Sequence, residues 1–487
     1  METNSLDPVF YPRSVAVVGA SEGVGRRGGD FVRRLQIYGY RGKIYPINPR
    51  RPEIFGLKAY PSLKDVPNSI DYVIDCISID RTLDLLTECA EKGVKVLHIF
   101  AGRASETGRE ELKELDKQIL GRAKDYGIRL IGPNSFGVYC PKEGFCSTGY
   151  DLPNEAGSLS AAVQSGGNST DLIRFGALRG LRFNKVVSYG NALDLDESDF
   201  LDYFAQDPET KIILCYIEGV KDGRRFFSTL RNAARSKPVV VAKGGRSKAG
   251  AKAAASHTAA LAGSWDIWSV AIRQAGAVPA RNLDELIDFA VAFYFLPPIK
   301  GIRVGITGGG GGRGVLSADE CEEMGLNVIP LPSEICEELK EKAPIIWDWI
   351  GNPADLSIMK DTGIDEGDVL QMMAKHQNFD FLIANVSEDW PSSESEFPTQ
   401  AKNEVNKYIE VHKAGLKPLV VVVGDRSLGI EEMDNWRWRV LADLRAQIRD
   451  AHIPFYPTIG QAARAVKELI NYYSLGNQVS SKDKLTA

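Results

Sequence analysis

Hydrophobic and polar positions repeat one unit along the chain: a short apolar run rich in β-branched residues, a glycine turn, and an amphipathic helix. The apolar runs are nearly continuous, which is typical of parallel strands covered on both faces. This pattern predicts a doubly wound α/β domain over residues 1–141. Its predicted strands lie at 14–20, 42–48, 71–78, 94–102 and 129–134, and its predicted helices include 82–93 and 111–127.

Two further rounds of the same unit follow. Residues 140–158 are polar, rich in glycine and proline, and without periodicity, so we expect a linker there. The second round then opens at Leu159, and the third at Ile302 after a proline-containing interruption. We therefore predict two more doubly wound parallel-sheet domains, at residues 155–297 and 300–487.

Composition narrows the functional classes. The 487 residues carry a formal charge of −5, which gives no bulk affinity for nucleic acid. The seven cysteines are scattered without a C-x-x-C pair, which indicates reduced thiols. The first ten residues lack a secretion pattern, and no apolar run approaches the roughly 18 residues of a membrane span. We expect a cytoplasmic protein that binds neither nucleic acid nor membrane.

A glycine loop, VVGASEGVG, follows the first predicted strand and precedes a helix, where free backbone N–H groups can face a phosphate. No acidic residue follows about 20 positions on to hold a ribose 2′-hydroxyl. INPRRP stands there instead, and its arginines suit an extra ribose phosphate, as in coenzyme A or NADP. A packing turn with solvated arginines is the alternative. The candidate residues are Gly19, Ser21, Gly23, Asn48, Pro49, Arg50 and Arg51.

Two more glycine loops, QSGGNS and TGGGGGRG, precede predicted helices. Two such helix starts aimed at one point would stabilise an anion through free N–H groups and the helix dipole. Five consecutive glycines are costly in backbone entropy, although a flexible hinge would also explain them. The candidate phosphate-stabilising residues are Ser165, Gly166, Gly167, Gly309, Gly310 and Gly311.

His257, one of five histidines, lies among alanines, glycines and hydroxyl residues in SHTAALAGS. Such an open imidazole can attack a phosphoryl group, provided that a carboxylate accepts a hydrogen bond from its other nitrogen. Glu218 follows the apolar strand CYI, at the carboxyl end where ligands bind to open α/β sheets. An ordinary polar residue in a surface loop is the alternative for His257.

Together these motifs resemble the NDP-forming acyl-CoA synthetases, particularly α subunits of the ADP-forming acetyl-CoA synthetase type in the succinyl-CoA synthetase superfamily. The motifs are VVGAS, GKIYPINP, IGPN, QSGG, IEG, SHTAALAGS and GNPADLS. The resemblance implies a Rossmann-like CoA-binding domain followed by two flavodoxin-like domains, the first of which carries a phosphohistidine. It implies that His257 is phosphorylated, that Glu218 holds its ring, and that Asn134 of IGPN contributes to the CoA site. GPNSFG stands where GPNCLG is usual in the family.

The reaction implied by the resemblance is acyl-CoA + ADP + Pi ⇌ carboxylic acid + CoA + ATP. The three predicted α/β domains account for the whole chain and leave no segment for an ATP-grasp domain. We therefore expect a separate ATP-grasp β subunit that binds ADP or ATP and Mg²⁺, in a hetero-oligomer. No metal site is predicted in this chain. Two other classes stay open: a CoA-binding regulatory or scaffold protein with reduced catalysis, and an NAD(P)-dependent oxidoreductase.

Overall fold

The computed structural model describes residues 6–23, 27–102, 105–252, 264–356, 363–386, 393–424 and 436–474. The chain divides into two compact units, Met1–Leu286 and Ile287–Ala487. His257 belongs to the stretch 253–263, which lies outside the described residues.

Within its described residues, the first unit contains two large sheets and a two-stranded one. The first large sheet is entirely parallel, in the order β2-β1-β5-β6-β7. Its apolar strands are buried and are covered by amphipathic helices, as the continuous apolar runs predict. The strands are β1 (Ser14–Val18), β2 (Lys43–Ile47), β5 (Tyr72–Asp75), β6 (Val96–Ile99) and β7 (Arg129–Ile131), with a small hairpin of β3 (Glu53–Ile54) and β4 (Leu57–Lys58). The helices are α1 (Asp7–Phe10), α2 (Arg27–Ile37), α3 (Thr82–Glu91) and α4 (Glu110–Asp125), with 3₁₀ turns at Leu63–Asp65, Ile79–Arg81 and Ser105–Thr107.

The second sheet has the order β14-β13-β12-β10-β11-β8-β9. Five strands are parallel, and an antiparallel hairpin extends the sheet beyond β11. The parallel strands are β10 (Leu159–Val163), β11 (Phe183–Ser188), β12 (Ile212–Ile217), β13 (Val239–Lys243) and β14 (Val278–Ala280). The hairpin is β8 (Gly137–Cys140) and β9 (Phe145–Cys146), with a 3₁₀ turn at Pro141–Glu143. The helices are α5 (Gly166–Leu178), α6 (Glu197–Gln206), α7 (Gly223–Ser236) and α8 (Trp265–Gln274).

The hairpin changes the interpretation of the segment expected to be a linker. Strand β9 lies inside residues 140–158, and Cys140, Phe145 and Cys146 are fully buried. The polar and glycine-rich composition of the segment does not predict this strand, because β9 is only two residues long, both of which pair with β8. The first half of the segment is therefore part of the second sheet rather than a free connection.

The helix α9 (Leu283–Phe295) runs from the end of the first unit into the second. The second unit has one parallel sheet, in the order β16-β15-β17-β18-β19. Its strands are β15 (Arg303–Thr307), β16 (Asn327–Val328), β17 (Phe381–Asn385), β18 (Leu419–Val422) and β19 (Phe455–Tyr456). Its helices are α10 (Gly311–Glu323), α11 (Ser333–Lys342), α12 (Glu366–Lys375), α13 (Phe397–Lys413), α14 (Trp436–Asp450) and α15 (Ile459–Ser474).

When the parallel strands are numbered along the chain, each of the three sheets has the order 2-1-3-4-5. This is the flavodoxin-like doubly wound order, whose ligand crevice lies outside the carboxyl ends of the strands. The α/β fold class predicted from the sequence is confirmed. All seven cysteines are free thiols. Among the described residues, no helix combines the length and the apolar character that a membrane crossing requires.

Candidate functional site

The glycine loop after β1 lies at the carboxyl edge of the first sheet. Gly19 has φ +83°, and a Cβ there would lie 3.1 Å from Cγ2 of Ile77. The following helix packs tightly on this loop, since a Cβ on Gly28 would lie 2.4 Å from the Gly19 carbonyl oxygen. Gly29 is equally constrained, because a Cβ there would lie 2.1 Å from the carbonyl oxygen of Ser21. Gly23, at φ +130°, ends the described part of the loop.

Asn48 joins this loop to the segment after β2. Its Nδ2 donates to the carbonyl oxygen of Ala20 at 2.7 Å, and its Oδ1 accepts from the N–H of Arg50 at 2.8 Å. Pro49, Arg50 and Arg51 are exposed beside it. Neither arginine makes an ion pair within the described residues, so both guanidinium groups are available to an anionic ligand. Asn48, proposed from the sequence as a ligand residue, thus also organises the loop.

The segment GPNSFG runs from the carboxyl end of β7 into β8. Asn134 has φ +58°, and its N–H donates to the carbonyl oxygen of Ala101 at 3.0 Å. Ser135 is buried, and its hydroxyl donates to the carbonyl oxygen of Ser188 at 2.5 Å. This hydrogen bond ties the segment to β11.

Helix α5 begins at the second predicted glycine loop. Ser165 is its N-cap, and its hydroxyl accepts from the N–H of Asn168 at 3.4 Å. Gly166 has no room for a side chain, because a Cβ there would lie 2.6 Å from Cδ1 of Phe136. Gly167 faces open space, with no atom within 4 Å of such a Cβ. At Gly167 the first turn of α5 thus presents bare backbone, as an anion site at a helix start requires.

Glu218 lies directly after β12 and is 9% exposed. Its N–H donates to Oε1 of Gln164 at 2.7 Å, and the same oxygen accepts from Gly219 at 3.2 Å. Gln164 itself is buried between β10 and the N-cap of α5. The start of α5 and the carboxylate-bearing residue are consequently linked through one amide side chain.

The loop that leads toward His257 leaves the sheet beside Glu218. Lys243 ends β13, and its Nζ donates to the carbonyl oxygen of Glu218 at 2.7 Å. Gly244 then passes close to Glu218, since a Cβ there would lie 3.3 Å from the Glu218 Cγ and 2.7 Å from the Tyr216 hydroxyl. The contact between Glu218 and His257 expected from the sequence falls outside the described residues.

In the second unit, the run of glycines forms a tight turn from β15 into α10. Gly308, Gly309 and Gly310 have φ of +83°, +91° and +75°. A Cβ on Gly308 would lie 2.1 Å from the carbonyl oxygen of Asn385, and one on Gly309 would lie 2.4 Å from its Nδ2. A Cβ on Gly311 would lie 2.7 Å from a carboxylate oxygen of Asp355. Backbone conformation or close packing therefore requires glycine at positions 308–311, whereas a flexible hinge would not impose such constraints.

The buried polar residues that were not assigned from the sequence include Gln164, Lys243 and Asn385, which are exposed by 5%, 1% and 5%. Like Glu218, each stands at or directly after the carboxyl end of an apolar strand. Buried polar side chains need partners, and in doubly wound folds this edge carries the ligands. A search for polar residues that end apolar strands would have found all three.

Two protein families match parts of this chain. Residues 13–141 match the family described as CoA binding domain, and residues 156–293 match the succinyl-CoA ligase like flavodoxin domain. The chain is 38% identical over 379 residues to the α subunit of acetate–CoA ligase (ADP-forming) II of Pyrococcus furiosus, covering 78% of this chain and 82% of that protein. It is 35% identical to the α subunit of form I from the same organism, covering 96% and 98%.

A solved structure is similar over nearly the whole chain. The acetyl-coenzyme A synthetase 1 of Ca. Korarchaeum cryptofilum, in complex with phosphate and ADP, gives a TM-score of 0.80 at 30% identity. The match covers 97% of this chain and 98% of that one. The resemblance found in the motifs is confirmed, and the chain belongs to the ADP-forming acyl-CoA ligases, in the family of acetate–CoA ligase α subunits.

Proposed function

We propose that this chain is the α subunit of an NDP-forming acyl-CoA synthetase that interconverts acyl-CoA, ADP and phosphate with a carboxylic acid, CoA and ATP. The observation that carries the proposal is the Gln164 bridge, which holds Glu218 beside the start of α5 at one sheet edge. A buried carboxylate next to an anion-stabilising helix start suits an imidazole that becomes phosphorylated. The family membership supports the same reaction.

In the first step, a phosphate oxygen attacks the thioester carbon and the CoA thiolate leaves, which gives an acyl phosphate. A ring nitrogen of His257 then attacks phosphorus, the bond between phosphorus and the acyl oxygen breaks, and the carboxylate leaves. Glu218 accepts a hydrogen bond from the other ring nitrogen and thereby stabilises the positively charged ring. The phosphohistidine finally transfers its phosphoryl group to the nucleotide.

The first turn of α5, with Ser165, Gly166 and Gly167, would donate backbone N–H groups to the phosphoryl oxygens. We propose the same role for Gly309, Gly310 and Gly311 at the start of α10. The crevice at the carboxyl edge of the first sheet would bind CoA. There Gly19, Ser21 and Gly23 approach the phosphates, Asn48 and Asn134 line the edge, and Arg50 follows Pro49 toward the ribose phosphate.

The nucleotide site is proposed to lie on a partner. The relatives named above are themselves α subunits, which supports a complex with a second chain. We propose that this partner is an ATP-grasp β subunit that binds ADP or ATP with Mg²⁺, and that the small carboxylic acid and CoA thioester react on the present chain. The resulting enzyme would be a cytoplasmic hetero-oligomer.

The test is reconstitution with an ATP-grasp β subunit from the same organism, followed by a screen of acids for CoA thioester formation. We expect thioester only when acid, CoA, ATP and both chains are present. His257→Ala should abolish it while CoA binding, measured by calorimetry, is retained. Thioester formation by the His257→Ala complex, or hydride transfer with NAD(P)H by the wild type, would reject the proposal.

A further inference from the structure

A buried lysine at the edge of the second sheet has no role in the chemistry above. Lys243, the last residue of β13, is 1% exposed. Its Nζ donates to the carbonyl oxygens of Glu218, at 2.7 Å, and of Gly244. The ammonium also lies 5.3 Å from the ring centroid of Trp268 on α8, within the range of a cation–π interaction.

A neutral donor could also bind these backbone carbonyls and contact the aromatic ring, yet the chain buries a charged ammonium group here. An uncompensated charge is costly to remove from water, so a lysine at this depth is rare unless an anion balances it. Burial lowers the pKa of Lys243 to about 8, and the Coulombic interaction with Glu218 acts in the opposite direction. The nearby carboxylate therefore supplies part of the balance.

Lys243 contacts Glu218 and precedes, along the chain, the segment that carries His257. Its hydrogen bond fixes the backbone of Glu218 from the β13 side, while Gln164 fixes the same residue from the β10 side. The chain then continues through Gly244 into the segment that carries His257.

We propose that Lys243 is a positioning residue for phosphoryl transfer, which holds the backbone of Glu218 in place and adds a buried positive charge beside that residue. This inference deepens the proposed function and depends on it. Transfer of a phosphoryl group brings about two negative charges to a site that already contains the Glu218 carboxylate. A buried cation offsets this accumulation, and it does so without donating or accepting a proton in the reaction.

The test uses the complex with the β subunit and γ-labelled ATP, and it measures the fraction of α chains that carry acid-labile phosphate. Lys243→Gln removes the charge but keeps an N–H donor, and Lys243→Met removes both. Lys243→Arg keeps the charge. Lys237→Gln is the matched control, because Lys237 lies just before the other end of β13 and also donates to two backbone carbonyls, of Phe204 and Asp207. CoA affinity and the urea midpoint are measured for each variant.

We expect the labelled fraction to fall about tenfold or more in Lys243→Gln and Lys243→Met, as the loss of one nearby charge implies. Lys243→Arg should recover part of the label, and Lys237→Gln should label like the wild type. CoA affinity should be unchanged in all four variants. If one substitution prevents folding, the other neutral variant decides, since apolar replacements of buried charges are often tolerated.

Normal labelling in either neutral variant overturns the inference, as does an equal loss of label in Lys237→Gln. Absence of label in the wild-type complex has a different meaning, because it rejects the proposed function and this inference with it. The two failures are therefore distinguishable in one experiment.

Discussion

The side-chain Oε1 of Gln164 accepts hydrogen bonds from the backbone N–H groups of Glu218, at 2.7 Å, and Gly219, at 3.2 Å. This amide adds a side-chain link to the backbone pairing between β10, which leads into α5, and β12, which ends just before the proposed histidine-holding carboxylate. Because both N–H groups are buried, their geometry depends on this one acceptor.

We predict that Gln164→Leu destabilises the first unit by about 1–3 kcal/mol, because it leaves buried N–H groups without an acceptor. Glu218 would also lose its fixed position, so phosphorylation should fall several-fold beyond what the change in stability explains. Urea unfolding and labelling with γ-labelled ATP, in the complex and below the unfolding transition, measure the two effects separately. Equal labelling of the variant and the wild type would show that Gln164 does not position Glu218.

Gly166 and Gly167 form a matched pair at the start of α5. Gly166→Ala places a Cβ 2.6 Å from the Phe136 ring, and overpacking of this kind costs about 1–3 kcal/mol. Gly167→Ala meets open space and should be neutral or stabilising by up to about 1 kcal/mol. Thermal and urea unfolding provide the comparison. In Gly166→Ala/Phe136→Leu, the smaller side chain should restore most of the lost stability, and failure to do so would place the strain elsewhere.

The alternation of apolar strands and glycine-ended helices was sufficient to predict the principal parallel strands and the fold class. Each predicted run in the first domain contains the strand found there, as 14–20 contains β1 (Ser14–Val18). The β8–β9 hairpin was not predicted, because β8 pairs with β11, some 50 residues away in the chain. Such a pairing depends on tertiary contacts that a local pattern does not encode.

The exposed arginines after β2 should contribute to CoA binding. Arg50→Ala/Arg51→Ala is predicted to weaken CoA about tenfold at low salt, and less at high salt, because exposed charges are screened. Arg13→Ala is the control, since Arg13 is exposed at the opposite end of β1 and pairs with Asp71. Calorimetric titration at two salt concentrations tests this prediction. An equal effect of both variants would indicate a general electrostatic attraction rather than a site at the carboxyl edge.

The buried carboxyl group of Asp75 should make the stability of the fold depend on pH. Burial raises the pKa of this carboxyl from 3.8 to about 6, while hydrogen bonds from Ile77 and Thr82 act in the opposite direction. A raised folded-state pKa means that the folded state holds the proton more tightly, so the stabilising contribution is lost as pH rises from about 4 to about 6. Relative to Asp75→Asn, the wild type should lose about 2–3 kcal/mol over this range. Urea unfolding of the wild type and of Asp75→Asn at pH 4.5, 5.5 and 7 measures the difference in their free energies of unfolding. A difference that does not change with pH would refute the prediction.

The candidate site was only partly predictable. Glu218 was found because a lone acid follows an apolar strand, and the glycine loops were found from their spacing. Gln164 and Lys243 were missed because their importance lies in hydrogen bonds to Glu218 on the neighbouring strand. The role of His257 stays a prediction, since it depends on residues beyond those described.

Phosphorylation of His257 is tested by labelling the reconstituted complex with γ-labelled ATP and locating the phosphoryl group by tandem mass spectrometry under alkaline conditions. We expect one acid-labile phosphoryl group, on His257, which is discharged by ADP or by a carboxylic acid with CoA. The label should be absent in His257→Ala and strongly reduced in Glu218→Gln. A phosphoryl group on any other residue, or full labelling of Glu218→Gln, would contradict this prediction.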